Sequence, residues 1–95
     1  MKVKTKSGFV IEVDEKKAKD WRFAKNLAKW DDESTVIQGT SFCVPFLLGA
    51  DGEKALMDHV MEKDGSIPSE KILSEFREIL EQIGQSVKKS QSSQE

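Results

Sequence analysis

The chain is built around Phe42-Cys43-Val44-Pro45-Phe46-Leu47-Leu48-Gly49, its most apolar run, which lies near its middle between charged segments. A run of this kind must be covered, either by the chain's own helices or by another protein. Pro45 lacks an N–H and disfavours the α region at Val44, so we predict helical turns that bend at Pro45. Gly49 is predicted to end the segment as the C′ residue.

The composition indicates one small soluble domain of 95 residues, with 34% charged and 37% hydrophobic side chains. The net charge of −2 is unevenly divided. Residues 1–30 carry nine Lys or Arg and four Asp or Glu, a net +5, whereas residues 31–95 carry six and thirteen, a net −7. The two halves can neutralise each other within the fold, associate head to tail or meet a charged partner. Because the core of so short a chain is modest, we also expect self-association.

The sequence predicts a cytoplasmic protein. Cys43 is the only cysteine, which excludes an internal disulfide and favours a reducing compartment. Met1 is followed by alternating lysines rather than by an apolar segment, so no signal peptide is predicted. The longest apolar run is far shorter than the roughly 20 residues of a membrane-spanning helix.

Residues 2–13 are predicted to form a β-hairpin, because apolar and polar side chains alternate along them. A two-residue loop would mix lysines into the apolar face. The three-residue loop Lys6-Ser7-Gly8 pairs Val3 with Ile11 and places Gly8 at the left-handed position of a type I turn with a bulge. The other pairs that this loop predicts are Thr5 with Phe9, Lys2 with Glu12 and Lys4 with Val10. Two strands alone are marginal in water, so the hairpin must lie on helices or pair its edge with another chain.

Four helical segments are predicted after the hairpin. Asp14 is a good N-cap for the first, about 15–30, whose apolar residues cover half of its circumference and leave one edge, at Phe23 and Trp30, for a partner. The other helices are predicted at 34–48 with the bend at Pro45, at 53–63, and at 68–84 with a continuous apolar stripe. The fold class is therefore α+β, mainly α: an N-terminal β-hairpin, three to four helices, a single domain over 1–86 and a flexible tail over 87–95.

No catalytic, cofactor-binding or metal-binding residue is predicted. His59 and Cys43 are the only histidine and thiol, and no third group that would orient such a pair is apparent. A zinc site needs three or four ligands, and the glycine register excludes a calcium loop. We therefore expect a protein that is not an enzyme and uses no cofactor.

The basic half offers an alternative function. Lys2, Lys4 and Lys6 form a stripe on the hairpin, and a small nucleic-acid-binding or regulatory protein would use such a surface. However, no aromatic residue is interleaved on this lysine face, and the whole chain is slightly acidic. A solvated strand face is the favoured interpretation, so nucleic acid is not the expected partner.

Several short motifs stand in a distinctive order. Lys2-Val3-Lys4-Thr5-Lys6-Ser7-Gly8-Phe9 opens the hairpin, and Leu47-Leu48-Gly49 precedes a short helix. Asp64-Gly65-Ser66-Ile67 then precedes a final amphipathic helix with Glu75-Phe76-Arg77-Glu78-Ile79. Over about residues 2–84 this order resembles the small tail assembly chaperones of long-tailed, siphovirus-like bacteriophages and prophages, especially those infecting Gram-positive hosts.

The resemblance implies a transient, non-enzymatic role. Such proteins bind the tape measure protein in the host cytoplasm before the tail tube polymerises around it, and they are absent from the mature virion. They often also exist as a longer, frameshifted form that recruits the major tail protein. We expect an extended helical client to bind apolar residues in and beside the central run, and the candidates are Trp30, Phe42, Phe46 and Leu47.

Overall fold

The computed structural model describes residues 1–92, with side chains as far as residue 84, and residues 93–95 lie outside it. Within this range a two-stranded hairpin is followed by four α-helices and one short 3₁₀-helix, which confirms the predicted fold class. The predicted flexible tail, 87–95, falls outside the fully described residues and stays a prediction. None of the described helices contains an apolar stretch long enough to cross a membrane.

The hairpin has the predicted register. Strand β1 (Lys2–Lys4) pairs antiparallel with strand β2 (Val10–Glu12). The Thr5 N–H donates to the Phe9 carbonyl at 2.9 Å, and Gly8 closes the loop with a φ of 96°. The paired positions are Lys2 with Glu12, Val3 with Ile11 and Lys4 with Val10. The three-residue loop therefore puts the apolar side chains inward and the lysines outward, as the alternation predicts.

The prediction of one helix over 15–30 is wrong. Asp20 breaks it: its backbone is extended, with ψ of 140°, and its carboxylate accepts the Arg22 N–H at 2.8 Å. The same carboxylate pairs with the Arg22 guanidinium at 3.0 Å, which lowers the pKa of Asp20. An aspartate that bonds the backbone ahead of it begins a helix more readily than it continues one. The segments observed are helix α1 (Glu15–Ala18), helix α2 (Trp21–Leu27) and a 3₁₀-helix (Ala28–Asp31).

A short helix with its own aspartate cap lies on either side of the break. Asp14 caps α1 as predicted, because its side chain accepts the Lys16 N–H at 2.9 Å. Phe23 is buried, whereas Trp21 is 74% exposed. Both residues belong to α2, where their i, i+2 spacing turns the side chains about 160° apart, so the wide apolar face that the sequence predicts is only partly buried.

Helix α3 (Val36–Val60) consists of two helical halves that meet at Gly49, and these correspond in place to the two helices predicted at 34–48 and 53–63. It bends at Gly49, where φ is 79° and ψ is 167°, and Pro45 lies inside its first half. Pro45 removes one backbone hydrogen bond, to the carbonyl of Ser41, but Ser41 is an exposed residue that water reaches. Gly49 has a positive φ, which residues with a side chain rarely adopt. The helical backbone therefore continues through Pro45, where the bend was predicted, and it breaks at Gly49, where the helical segment was predicted to end.

Helix α4 (Ser69–Ser92) packs its apolar stripe on α3 and on the hairpin. It starts next to Pro68, whose carbonyl accepts the Lys71 N–H at 3.1 Å, and it runs beyond the predicted end at 84. The described core residues come from every layer of the fold. They are Val3, Phe9, Val13, Phe23, Cys43, Val44, Leu47, Leu48, Leu56, Val60, Phe76, Ile79 and Ile83.

Polar side chains tie the hairpin loop to α4. The carboxylate of Glu75 accepts the hydroxyls of Thr5 at 2.7 Å and Ser7 at 2.9 Å. Glu78 accepts the backbone N–H of Lys6 at 2.6 Å. This group of hydrogen bonds, the hairpin tether, holds the loop on the helix beside the apolar core.

Candidate protein-binding site

The four candidate partner-binding residues lie in different environments. Leu47 is only 2% exposed and belongs to the core, so a partner cannot reach it in this fold. Trp30 is partly buried: its ring packs on Phe76 with centroids 6.0 Å apart, and its indole N–H is buried without an acceptor among the described residues. Phe42 and Phe46 are partly exposed and lie next to each other. Only these two form a continuous surface.

Phe42 and Phe46 stack along the first half of α3. Their ring centroids are 5.3 Å apart and the ring planes differ by 19°, which follows from their i, i+4 spacing. Phe46 also stacks on the buried Phe23 at 6.3 Å, and the Arg22 guanidinium lies 5.1 Å from the Phe46 ring centre. The inner neighbours fix the two rings in place while their outer edges stay open. Gln38 and Pro45 lie on the same side of α3 as the two rings, because they are four residues before and three residues after Phe42. We call Gln38, Phe42, Pro45 and Phe46 the aromatic face.

The first half of α3 has no charged residue on any side. From Ser34 to Ala50 the sequence contains no Asp, Glu, Lys or Arg, although a third of the chain is charged. A helix that packs on one side only normally presents charged side chains to water, as α4 does with Lys71, Arg77 and Glu81. The exposed side of this part of α3 therefore lacks the charged side chains of an ordinary solvated face, and the uncharged stretch is the signal of this in the sequence.

An apolar cleft of about 220 Å³ opens between the two halves of α3 and the beginning of α4. Its rim is exposed, because Ile37 is 53% and Ile67 37% accessible to solvent. The volume is below the roughly 300–1,000 Å³ of small-molecule sites, so the cleft fits one or two side chains. Among its described lining residues Glu53 alone is charged. The lining residues are Ile37, Thr40, Ser41, Val44, Glu53, Met57, Ile67, Ser69, Ile72 and Leu73.

A second, polar cleft of about 530 Å³ contains the histidine. The His59 Nε2 lies 2.8 Å from the Ser7 hydroxyl, and the His59 ring lies 5.3 Å from the Phe9 ring. The Ser7 hydroxyl donates its proton to Glu75, so His59 is placed to donate to Ser7. A serine nucleophile needs the opposite arrangement, in which the histidine accepts the hydroxyl proton. Nothing in the sequence connects Ser7, His59 and Glu75, which belong to the hairpin loop, α3 and α4.

Cys43 and His59 do not form a catalytic pair, because their side chains have different neighbours. The Cys43 side chain is fully buried, and its thiol donates to the Phe23 carbonyl with a sulfur–oxygen distance of 3.9 Å. Burial raises the pKa of the Cys43 thiol from 9.0 to about 11, because the thiolate would be desolvated. A thiol with so high a pKa is a poor nucleophile. Among the described residues, no group of three or more His, Cys, Asp or Glu side chains could hold a metal ion.

The basic surface contains an exposed aromatic residue after all, but on α2 and not on the hairpin. Lys2, Lys4 and Lys6 are exposed and have no aromatic neighbour on their strand face. Trp21 follows the exposed Lys19 and lies one helical turn before the exposed Lys25. The sequence analysis counted Trp21 among the apolar residues of the predicted first helix, so this basic aromatic patch of Lys19, Trp21 and Lys25 was not predicted.

Comparisons of the chain with protein-family models, with curated proteins and with solved structures find no match.

Proposed function

We propose that this chain is a phage tail assembly chaperone that transiently binds the tape measure protein during tail morphogenesis. Two lines support the proposal: the order of sequence motifs over residues 2–84, and the hairpin, short helices and long amphipathic helix that these motifs form. The observation that carries it is the uncharged, partly apolar outer side of α3. In this proposal the protein acts in the host cytoplasm, without a cofactor or a chemical step, and is absent from the mature virion.

The aromatic face gives the chaperone a physical means of binding its client. A long helical protein that has not yet been enclosed by the tail tube exposes apolar stripes that associate with one another. Phe42 and Phe46 offer large, rigid apolar surfaces to such a stripe, and rings already held by Phe23 and Arg22 lose little freedom on binding. The first half of α3 itself contributes no charged side chain that binding would desolvate, and the nearest charge to the rings is the Arg22 guanidinium over Phe46.

The binding is expected to be reversible. The aromatic face is small, and small interfaces without desolvated charge pairs release their partners readily. Many copies along one client would together cover its apolar stripes. The tube subunits can then displace them one by one, which fits a chaperone that leaves the finished tail.

Co-expression with the tape measure protein of the same genome tests this proposal. We expect the client to be soluble with the wild-type chain and to precipitate without it. Gln38→Glu places a charge beside Phe42 at an exposed position, and Phe42→Ala removes one ring; both should lose most of the solubilising effect. The matched control is Ala55→Glu, which adds the same charge at an exposed position in the second half of α3.

Two results would count against the proposal. A client that is equally soluble without the chain has no need of this chaperone. Equal loss of client solubility in Ala55→Glu would show that any added charge on α3 is harmful and that the aromatic face has no special role. Circular dichroism of each purified variant establishes that it is folded before the comparison is made.

A further inference from the structure

Trp21 is the most exposed large apolar side chain in the described part of the chain, at 74%. It is the first residue of α2, directly after the Asp20 cap, so its backbone is fixed while the indole stays in water. An exposed indole of this kind is unfavourable in water, and tryptophan is enriched at the centres of protein interfaces. The exposed Lys19 and Lys25 flank it, and neither forms a salt bridge with another described residue.

The apolar cleft is the complementary feature. It is open to solvent at Ile37 and Ile67, it fits one or two side chains, and Glu53 supplies a carboxylate at its wall. Trp21 does not line the cleft of its own chain, so the two features cannot cover each other within one molecule. They match in charge as well, since the exposed Lys19 and Lys25 flank Trp21 and the one charged residue in the described lining of the cleft is Glu53.

We propose that Trp21 of one copy inserts into the apolar cleft of a second copy, with Lys19 and Lys25 facing Glu53. Insertion buries the indole and the exposed apolar rim together, and the opposite charges align the two copies. The two surfaces differ, so the contact is heterologous. An open assembly keeps a free Trp21 at one end and a free cleft at the other, and it therefore grows into a filament unless a ring closes. The aromatic face takes no part, so this self-association goes beyond the proposed client binding and stands or falls separately.

Sedimentation velocity from low micromolar to millimolar protein tests the contact. We expect the wild-type chain to grow from monomers into larger species, and Trp21→Ala to shift that transition to concentrations about 30-fold higher or more, as for an interface hot spot. Glu53→Lys should weaken association less, and added salt should weaken it further. Val10→Ala is the matched control, because Val10 is an exposed apolar residue on the outer face of the hairpin.

A mixing experiment distinguishes this contact from other kinds of self-association. Trp21→Ala retains a free cleft, and Ile37→Glu blocks the cleft but retains Trp21. Each variant alone should remain monomeric, and an equimolar mixture should form heterodimers and nothing larger. Both substitutions are at exposed positions, so neither removes a core contact.

Three outcomes would overturn the proposal. One is a wild-type chain that stays monomeric throughout the range, and another is a Trp21→Ala variant that associates as strongly as the wild type. The third is a single-stranded oligonucleotide that quenches the Trp21 fluorescence at low salt while the chain remains monomeric, because the basic aromatic patch would then bind nucleic acid. The contact is supported if the larger species are lost in Trp21→Ala and the mixture of the two variants forms heterodimers.

Discussion

Glu75 is the residue through which the hairpin tether can be tested. Its carboxylate accepts hydroxyls from Thr5 and Ser7, two residues about seventy positions earlier in the chain. Thr5 is only 3% exposed, whereas Ser7 is exposed. Glu75→Ala removes both acceptor contacts at once and leaves the helix intact, since alanine is the best helix former.

The expected loss of stability follows from the surroundings of the two hydroxyls. A hydrogen bond to a charged group contributes roughly 1.5–3 kcal/mol when it is buried, and much less when water can replace it. In Glu75→Ala, water replaces the carboxylate as the acceptor of the exposed Ser7 hydroxyl. The hydroxyl of Thr5 loses its carboxylate but remains within 3.1 Å of the Ser7 hydroxyl and accepts the Phe9 N–H at 3.2 Å. We therefore expect Glu75→Ala to lower the free energy of unfolding by about 2 kcal/mol, and Glu75→Gln by about 1 kcal/mol, because the amide keeps an uncharged acceptor.

Urea unfolding measures this loss, provided that the dependence on urea concentration is the same in each variant. Glu81→Ala is the matched control, since Glu81 is an exposed glutamate on the same helix. A double-mutant cycle with Thr5→Val isolates the coupling between Thr5 and Glu75, which we expect to exceed about 1 kcal/mol. If Glu75→Ala is no less stable than Glu81→Ala, or if the cycle shows no coupling, the tether contributes nothing and the reasoning is refuted.

Two further predictions concern the core. Burial raises the pKa of the Cys43 thiol from 9.0 to about 11, so the thiol of the unfolded chain ionises first as the pH rises. Between pH 9 and about 11 the free energy of unfolding should therefore fall by about 2 kcal/mol, relative to Cys43→Ala measured in parallel. Equal pH dependence in the two proteins would contradict the buried thiol. Gly39→Ala would place a Cβ 2.7 Å from the Asn26 carbonyl oxygen and 3.0 Å from the Lys29 Cβ, so thermal unfolding should show a loss of about 1–3 kcal/mol. A more stable variant would mean that α2 does not pack closely on α3.

The hairpin register could be predicted because its determinants are local. Alternation along residues 2–13 fixes which side chains share a face, and a three-residue loop is the one that keeps lysines off the apolar face. The stripe of α4 was equally clear, since it repeats over several turns with no competing signal. In both elements the local pattern and the tertiary fold demand the same conformation.

The breaks in the helices could not be located in this way. Asp20 is favoured as an N-cap over a helix interior by only about 1 kcal/mol, a margin that a continuing apolar pattern can override, so the sequence did not reveal the break there. Pro45 and Gly49 both predict a bend, only four residues apart. Packing decides between them, because Leu47 and Leu48 are both buried and keep the chain helical through Pro45 as far as Gly49.

The candidate site was identifiable in composition but not in orientation. Phe46 and Leu47 are adjacent in sequence, yet helical geometry turns them about 100° apart, so one stays partly exposed and the other enters the core. Which of two neighbours is covered depends on how α3 rotates against α2 and α4, and an apolar run contains no such information. The absence of charge from Ser34 to Ala50 does not supply this orientation either, because it applies to every side of the helix; it indicates only that the exposed side is uncharged.

The bend at Gly49 also determines the shape of the molecule's surface. A straight helix of this length would be a rod of about 37 Å, and a rod has no concave side. The apolar cleft is lined by residues from both halves of α3, at Ile37 and Val44 before the bend and at Glu53 and Met57 after it. The width of the cleft therefore depends on the angle between the axes of the two helical halves, and the backbone dihedrals of Gly49 set that angle. A lineage of this fold could open, narrow or erase the cleft without replacing any residue that lines it.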